Sequence, residues 1–149
     1  MSLDRLNEAQ RLIVDHVNVI CSGNPWACRW LHQVLNASQV WDNCVDGNDK
    51  PKASQADDVF VSLITEWPIN PWFNANKMVL IPVMVNAISA WRFSDSDKRA
   101  RQRAYDVGTE LICTTAYLLG GQELVDKHMP EVRRLCLEAQ VANDTLEVA

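Results

Sequence analysis

Apolar residues return along this chain at intervals of three and four, the period of an α-helix rather than of a strand. Few runs alternate polar and apolar, and no Asn-Gly type turn lies between β-branched segments, so no strand is expected. A first helix from about Leu3 to Ile20 carries the stripe Leu6, Ile13, Val17 and Ile20. Ser22-Gly23-Asn24-Pro25 ends it, and Pro25 suits the first turn of the next helix. That second helix runs from about Pro25 to Val45, and Trp30, Val34, Trp41 and Val45 fall within about 60° of one another, which predicts a core face. Gly47 to Ala53 reads as a loop. Ser54 is the expected cap of a third helix, with Asp57 three residues on. This helix ends near Trp67, because the residue before Pro68 is pushed out of helical geometry.

Asn70-Pro71 then reads as an N-cap followed by proline at the first helical position. The region from Pro71 to Phe93 is apolar on nearly every side, and the run Met78 to Trp91 falls short of the ~20 residues of a membrane span. It predicts a buried central helix around residues 75–93, kinked or broken near Pro82. The Ser94 to Asp97 segment offers caps for a fifth helix from about Asp97 to Leu119, and Gly120-Gly121 stops it. A last helix from Gln122 to about Ala142 bends or breaks near Pro130, and the tail 143–149 is expected to fray. The expectation is a single all-α domain over residues 1–149, a bundle of five to six helices.

Composition narrows the function classes. The 149 residues are 48% hydrophobic and 22% charged, an ordinary globular balance. The net charge of -5 argues against broad nucleic-acid binding and leaves room only for a local basic patch. Five cysteines, an odd number without a CxxC pair, and no secretory pattern in residues 1–12 predict reduced thiols in a cytoplasmic setting.

The stretch WDNCVDGNDKP, Trp41 to Pro51, packs three aspartates, two asparagines, a glycine and a proline into eleven residues. As a calcium loop starting at Asp42 it would set Cys44, Lys50 and Ala53 at ligand positions, which a hard cation does not accept. Gly47 as the residue after a helix end, with Pro51 beyond it, explains most of the composition. Asp42 and Asp46 are left over. They stand one turn apart at the helix end where the macrodipole disfavours negative charge, so a compensator is expected: Mg²⁺, a basic side chain, or a hydrogen-bond donor. Asp57 and Asp58 suit the first turn of the third helix, and could complete an oxygen-ligated Mg²⁺ site with Asp42 and Asp46. In the run Lys98 to Arg103, Arg99 and Arg103 are candidate anion contacts; the plainer alternative is a solvated face shared with Asp106 and Glu110. Trp67, Trp72 and Phe73 flank two prolines and are either a contact patch or anchors that pin helix ends to the core. His16, Cys21, Cys28 and His32 match no zinc spacing, and no GxSxG, P-loop or GxGxxG is present.

The motifs W-D-N-C-V-D-G (41–47), D-D (57–58), N-P-W-F (70–73) and I-P-V-M through A-W (81–91) together resemble small all-helical proteins of no assigned function encoded by bacteriophages and prophages. The resemblance covers about residues 25–120 and implies an all-α fold in a phage or bacterial cytoplasmic setting, without a mechanism. Asp42-x₃-Asp46 is also weakly similar to the aspartate-rich helices of isoprenoid synthases, but it lacks their paired aspartates and the chain is too short for that fold. The expected function is therefore a phage-type accessory protein acting through a protein partner or self-association as a homodimer, without catalysis or cofactor. The alternatives are an Mg²⁺-dependent enzyme on a phosphorylated small molecule, and nucleic-acid binding through residues 98–103.

Overall fold

The computed structural model describes residues 2–46, 50–94 and 106–148, and every regular element among them is helical. They are α1 (Ser2–Ile20), α2 (Pro25–Asp46), α3 (Ala53–Val61), α4 (Pro71–Ser94) and α5 (Asp106–Val148). A single π-helical turn (Ser62–Glu66) and a 3-10 turn (Trp67–Ile69) join α3 to α4. The all-α single-domain bundle that the periodicity predicts is the fold.

Side-chain caps set the starts of α2 and α4. Asn24 Oδ1 accepts the Ala27 N–H at 3.0 Å and opens α2. Asn70 Oδ1 accepts the Phe73 N–H at 3.0 Å and opens α4, with Pro71 supplying the preset φ of the first position. The same Asn70, only 2% exposed, sends Nδ2 to the Trp26 carbonyl at 3.0 Å, so one amide ties the starts of α2 and α4 together. At α3 the start differs from expectation. Gln55 Oε1 reaches back to the Lys52 N–H at 2.9 Å, which moves the cap to Lys52 and leaves Ser54 inside the helix.

The two interior prolines interrupt nothing. α4 runs through Pro82, and in α5 only Gly121 leaves helical φ/ψ. Each proline removes the partner of the carbonyl four residues back, on Met78 and Asp126, and both of those residues lie on exposed surface where water can take over. α5 also continues as helix to Val148, past the point at Asn143 where fraying was expected.

Gly121 divides α5 into two arms. Its φ of 67° and ψ of -162° belong to a region that side chains exclude. Arg133 in the second arm comes within 3.6 Å of Glu110 in the first, whereas a straight helix would hold them ~34 Å apart. The arms therefore fold back on each other, and α1 packs along them. Trp30 of α2 meets Trp72 and Phe73 at the start of α4, and Trp41 meets Trp91 near its end, so α2 and α4 run in the same direction. The core between these helices holds Val17, Ile20, Trp30, Leu31, Leu80, Leu111, Ile112, Met129 and Val132.

Two expectations about burial are corrected. Residues 75–93 do not form a buried central helix: Leu80 and Ala87 are buried, but Met78 is 82% and Val85 60% exposed. α4 is apolar on both its inner and its outer side, and composition alone cannot say which side is covered. Trp41 and Val45 likewise leave the predicted core face of α2, because the core ends near Val40 and the last turn of α2 projects past it.

Gly121→Ala is expected to lower stability by about 1–3 kcal/mol in urea unfolding, the usual strain of a side chain in that backbone region. Gly23→Ala, where an added Cβ meets nothing within 4 Å, serves as the neutral control.

Candidate functional site

The outward side of α4 is an exposed apolar surface that the core packing does not explain. Met78, Ile81, Val85 and Ile88 stand exposed at spacings of three, four and three, with Pro82 and Ser89 beside them. α4 contains no acidic residue, and its only charged side chains are Lys77 and Arg92. An open groove of about 420 Å³ runs along Val85, Ile88, Ser89, Arg92 and Phe93. α3 adds to the exposed apolar surface: none of its residues is buried, and Phe60 and Val61 are 65% and 50% exposed. A helix of this length gains little from propensity alone and depends on packing for its stability.

Trp91 Nε1 donates to Asp42 Oδ1 at 2.9 Å, and the Trp91 ring lies against Trp41 at 4.9 Å. The compensator at this helix end is thus an indole N–H from α4. The side chain of Asp46 lies outside the described residues, as do Arg99 and Arg103 in the basic run. Asp57 and Asp58 are exposed on α3. Among the described residues, no three His, Cys, Asp or Glu side chains gather as a metal site.

Trp67, Trp72 and Phe73 are not a surface patch. Their rings lie 5.7, 5.5 and 5.6 Å from that of the fully buried Trp30, and Trp72 itself is 8% exposed. The Asn70 cap turns the chain so that the first residues of α4 point inward. Glu66 braces the same corner: its carboxylate accepts two hydrogen bonds from Arg29, at 2.8 and 3.0 Å, and another from Gln33. The Arg29 hydrogen bond holds the Glu66 carboxyl below its usual range.

One polar contact in the core escaped the sequence reading. His16 Nδ1 on α1 lies 3.0 Å from His128 Nδ1 on the second arm of α5. One ring nitrogen donates and the other must keep its lone pair, so the pair holds together only while one imidazole is neutral. His128 is 6% exposed, and burial first, then the charges of His16 and Lys127, push its pKa down. Nothing in the spacing joins residues this far apart. The available signal was His128 riding the apolar stripe Val125, Met129, Val132 and Leu135.

Asp42→Ala is expected to cost about 1 kcal/mol in urea unfolding and to alter the fluorescence of Trp91, with Asp42→Asn costing less because an acceptor remains. A depressed folded-state pKa at His128 means that the unfolded chain binds the extra proton first. The stability from this site is then complete above about pH 6.5 and is lost as the pH falls toward the folded pKa. Urea titrations between pH 7.5 and pH 5 should show that decline in the native chain and a shallower one in His128→Gln. No protein-family model, curated protein or solved structure matches the chain, so any reading of the site rests on its own geometry.

Proposed function

We propose that the protein works by contact and not by catalysis, as a small phage-type accessory protein whose working surface is the outward side of α4. The observation that supports this most is the exposed stripe Met78, Ile81, Val85 and Ile88. Apolar side chains in such a row lower their free energy by leaving water, and an uncharged, regularly spaced row suits a helical or sheet partner. Arg92 beside the groove provides a polar rim, which is the usual anatomy of a contact surface. Asp42 is engaged with Trp91, and Asp57 and Asp58 stand exposed on α3, so these three aspartates lend the Mg²⁺-enzyme alternative no added support. The phage and cytoplasmic setting draws on the motif resemblance and on five free thiols, which suit a reducing compartment.

The test places a photo-crosslinking benzoylphenylalanine at Val85, or at the exposed Glu123 of α5, in the full chain expressed in bacteria. Position 85 is expected to yield a covalent adduct with a defined protein, named by mass spectrometry, and position 123 is not. Absence of any adduct from position 85 would overturn the contact reading.

A further inference from the structure

We infer that the outward stripe of α4 pairs with the same stripe of a second copy, antiparallel, to make a two-fold dimer. This rests on the contact reading above and names the partner of that surface. The spacing is the first argument. Met78, Ile81, Val85 and Ile88 follow a three-four-three rhythm, the a and d positions of a coiled-coil seam, and lie within an arc of about 80°. Leu80 and Ala87, the residues that α4 gives to the core, lie on the opposite side of the helix. The seam is therefore spare: α4 already has its intramolecular packing and carries a second apolar face besides.

Area is the second argument. The exposed parts of Met78, Ile81, Pro82, Val85 and Ile88 come to roughly 500 Å². A standard interface takes about 800 Å² from each partner, and in homodimers about 65% of it is apolar. The seam brings most of that apolar share, and the exposed Phe93 at the end of the groove lies next to it.

Charge sets the orientation. In a parallel pair Arg92 would stand beside the partner's Arg92, and Lys77 beside the partner's Lys77, at like-charge cost. In the antiparallel pair the axis crosses the seam at the height of residue 83, Ile81 meets the partner's Val85, Met78 meets the partner's Ile88, and Arg92 comes beside the partner's Asn74, whose amide oxygen accepts hydrogen bonds. The helix macrodipoles then oppose each other favourably. Each copy offers the same patch, so the assembly closes at two and does not propagate.

Sedimentation velocity on the full chain across a micromolar concentration series tests the pairing. The expected result is a species of twice the 16.9 kDa chain mass that falls to one chain mass in Val85→Glu, with helicity and melting unchanged in dilute solution. Met78→Glu is the second variant should the first misfold. Benzoylphenylalanine at Met78 in the otherwise native chain supplies a readout that needs neither variant: the linked peptide should be the one carrying Ile88 of the other copy. A link from Met78 to Met78 overturns the antiparallel order. A native chain that stays a monomer throughout overturns the dimer, as does a dimer that persists in the folded variants. A monomer that instead floats with phosphatidylcholine vesicles also overturns it and assigns the face to lipid. A monomer whose position 85 crosslinks to a different protein sinks only the self-pairing, whereas a monomer with no adduct sinks the contact reading as well.

Discussion

Trp30 has none of its surface exposed, and what its ring touches decides where two other pieces of chain must lie. Burying a ring of that size removes about 150–250 Å² from water, more than any other single side chain of the core contributes. Trp67 from the 3-10 turn and Trp72 and Phe73 from the first turn of α4 close around it. The corner costs something: the indole N–H groups of Trp30 and Trp67 are buried without a protein acceptor. Such a group costs about 1–3 kcal/mol, which burial of the rings has to exceed. The polar brackets around the cluster, Asn70 to Trp26 and Glu66 to Arg29, fix its orientation. Because α2 and α4 are joined there, they are forced to run the same way, and α3 with its two turns is the return path.

The other half of the bundle depends on a backbone constraint instead of a side chain. Gly121 allows α5 to reverse within one residue, and the reversal creates the two-armed surface that α1 covers. The His16–His128 contact lies in that seam. The contact fails only when both rings are protonated, and burial of His128 opposes its protonation, so acid is expected to weaken the α1–α5 seam.

α4 belongs to both halves and is satisfied by neither. Leu80 and Ala87 complete the core, yet the side turned away from it is as apolar as the side turned in. A monomer gains nothing from Met78 at 82% exposure, and a row of such residues in helical register costs solubility. The same surface becomes an advantage once it is covered, and this is why the contact reading begins from α4 and not from the aspartates.

The helical period, the cap at Asn70 and the stop at Gly120-Gly121 are local physics, and the amino-acid order alone determined them. They depend on residues no more than four apart, so no knowledge of the rest of the chain was needed. The resulting all-α bundle was legible for the same reason. Burial was not. Trp41 and Trp72 are the same residue type on helices of similar apolar character, yet one is exposed and the other lies in the core. Periodicity assigns a face to a helix but not the length over which a neighbour covers it. Tertiary structure alone decided that Asp42 answers to Trp91, that His16 meets His128, and that the most apolar helix of the chain turns half of its surface outward. Each of these depends on contacts between segments far apart in sequence, and their energies exist only once the helices have been brought together.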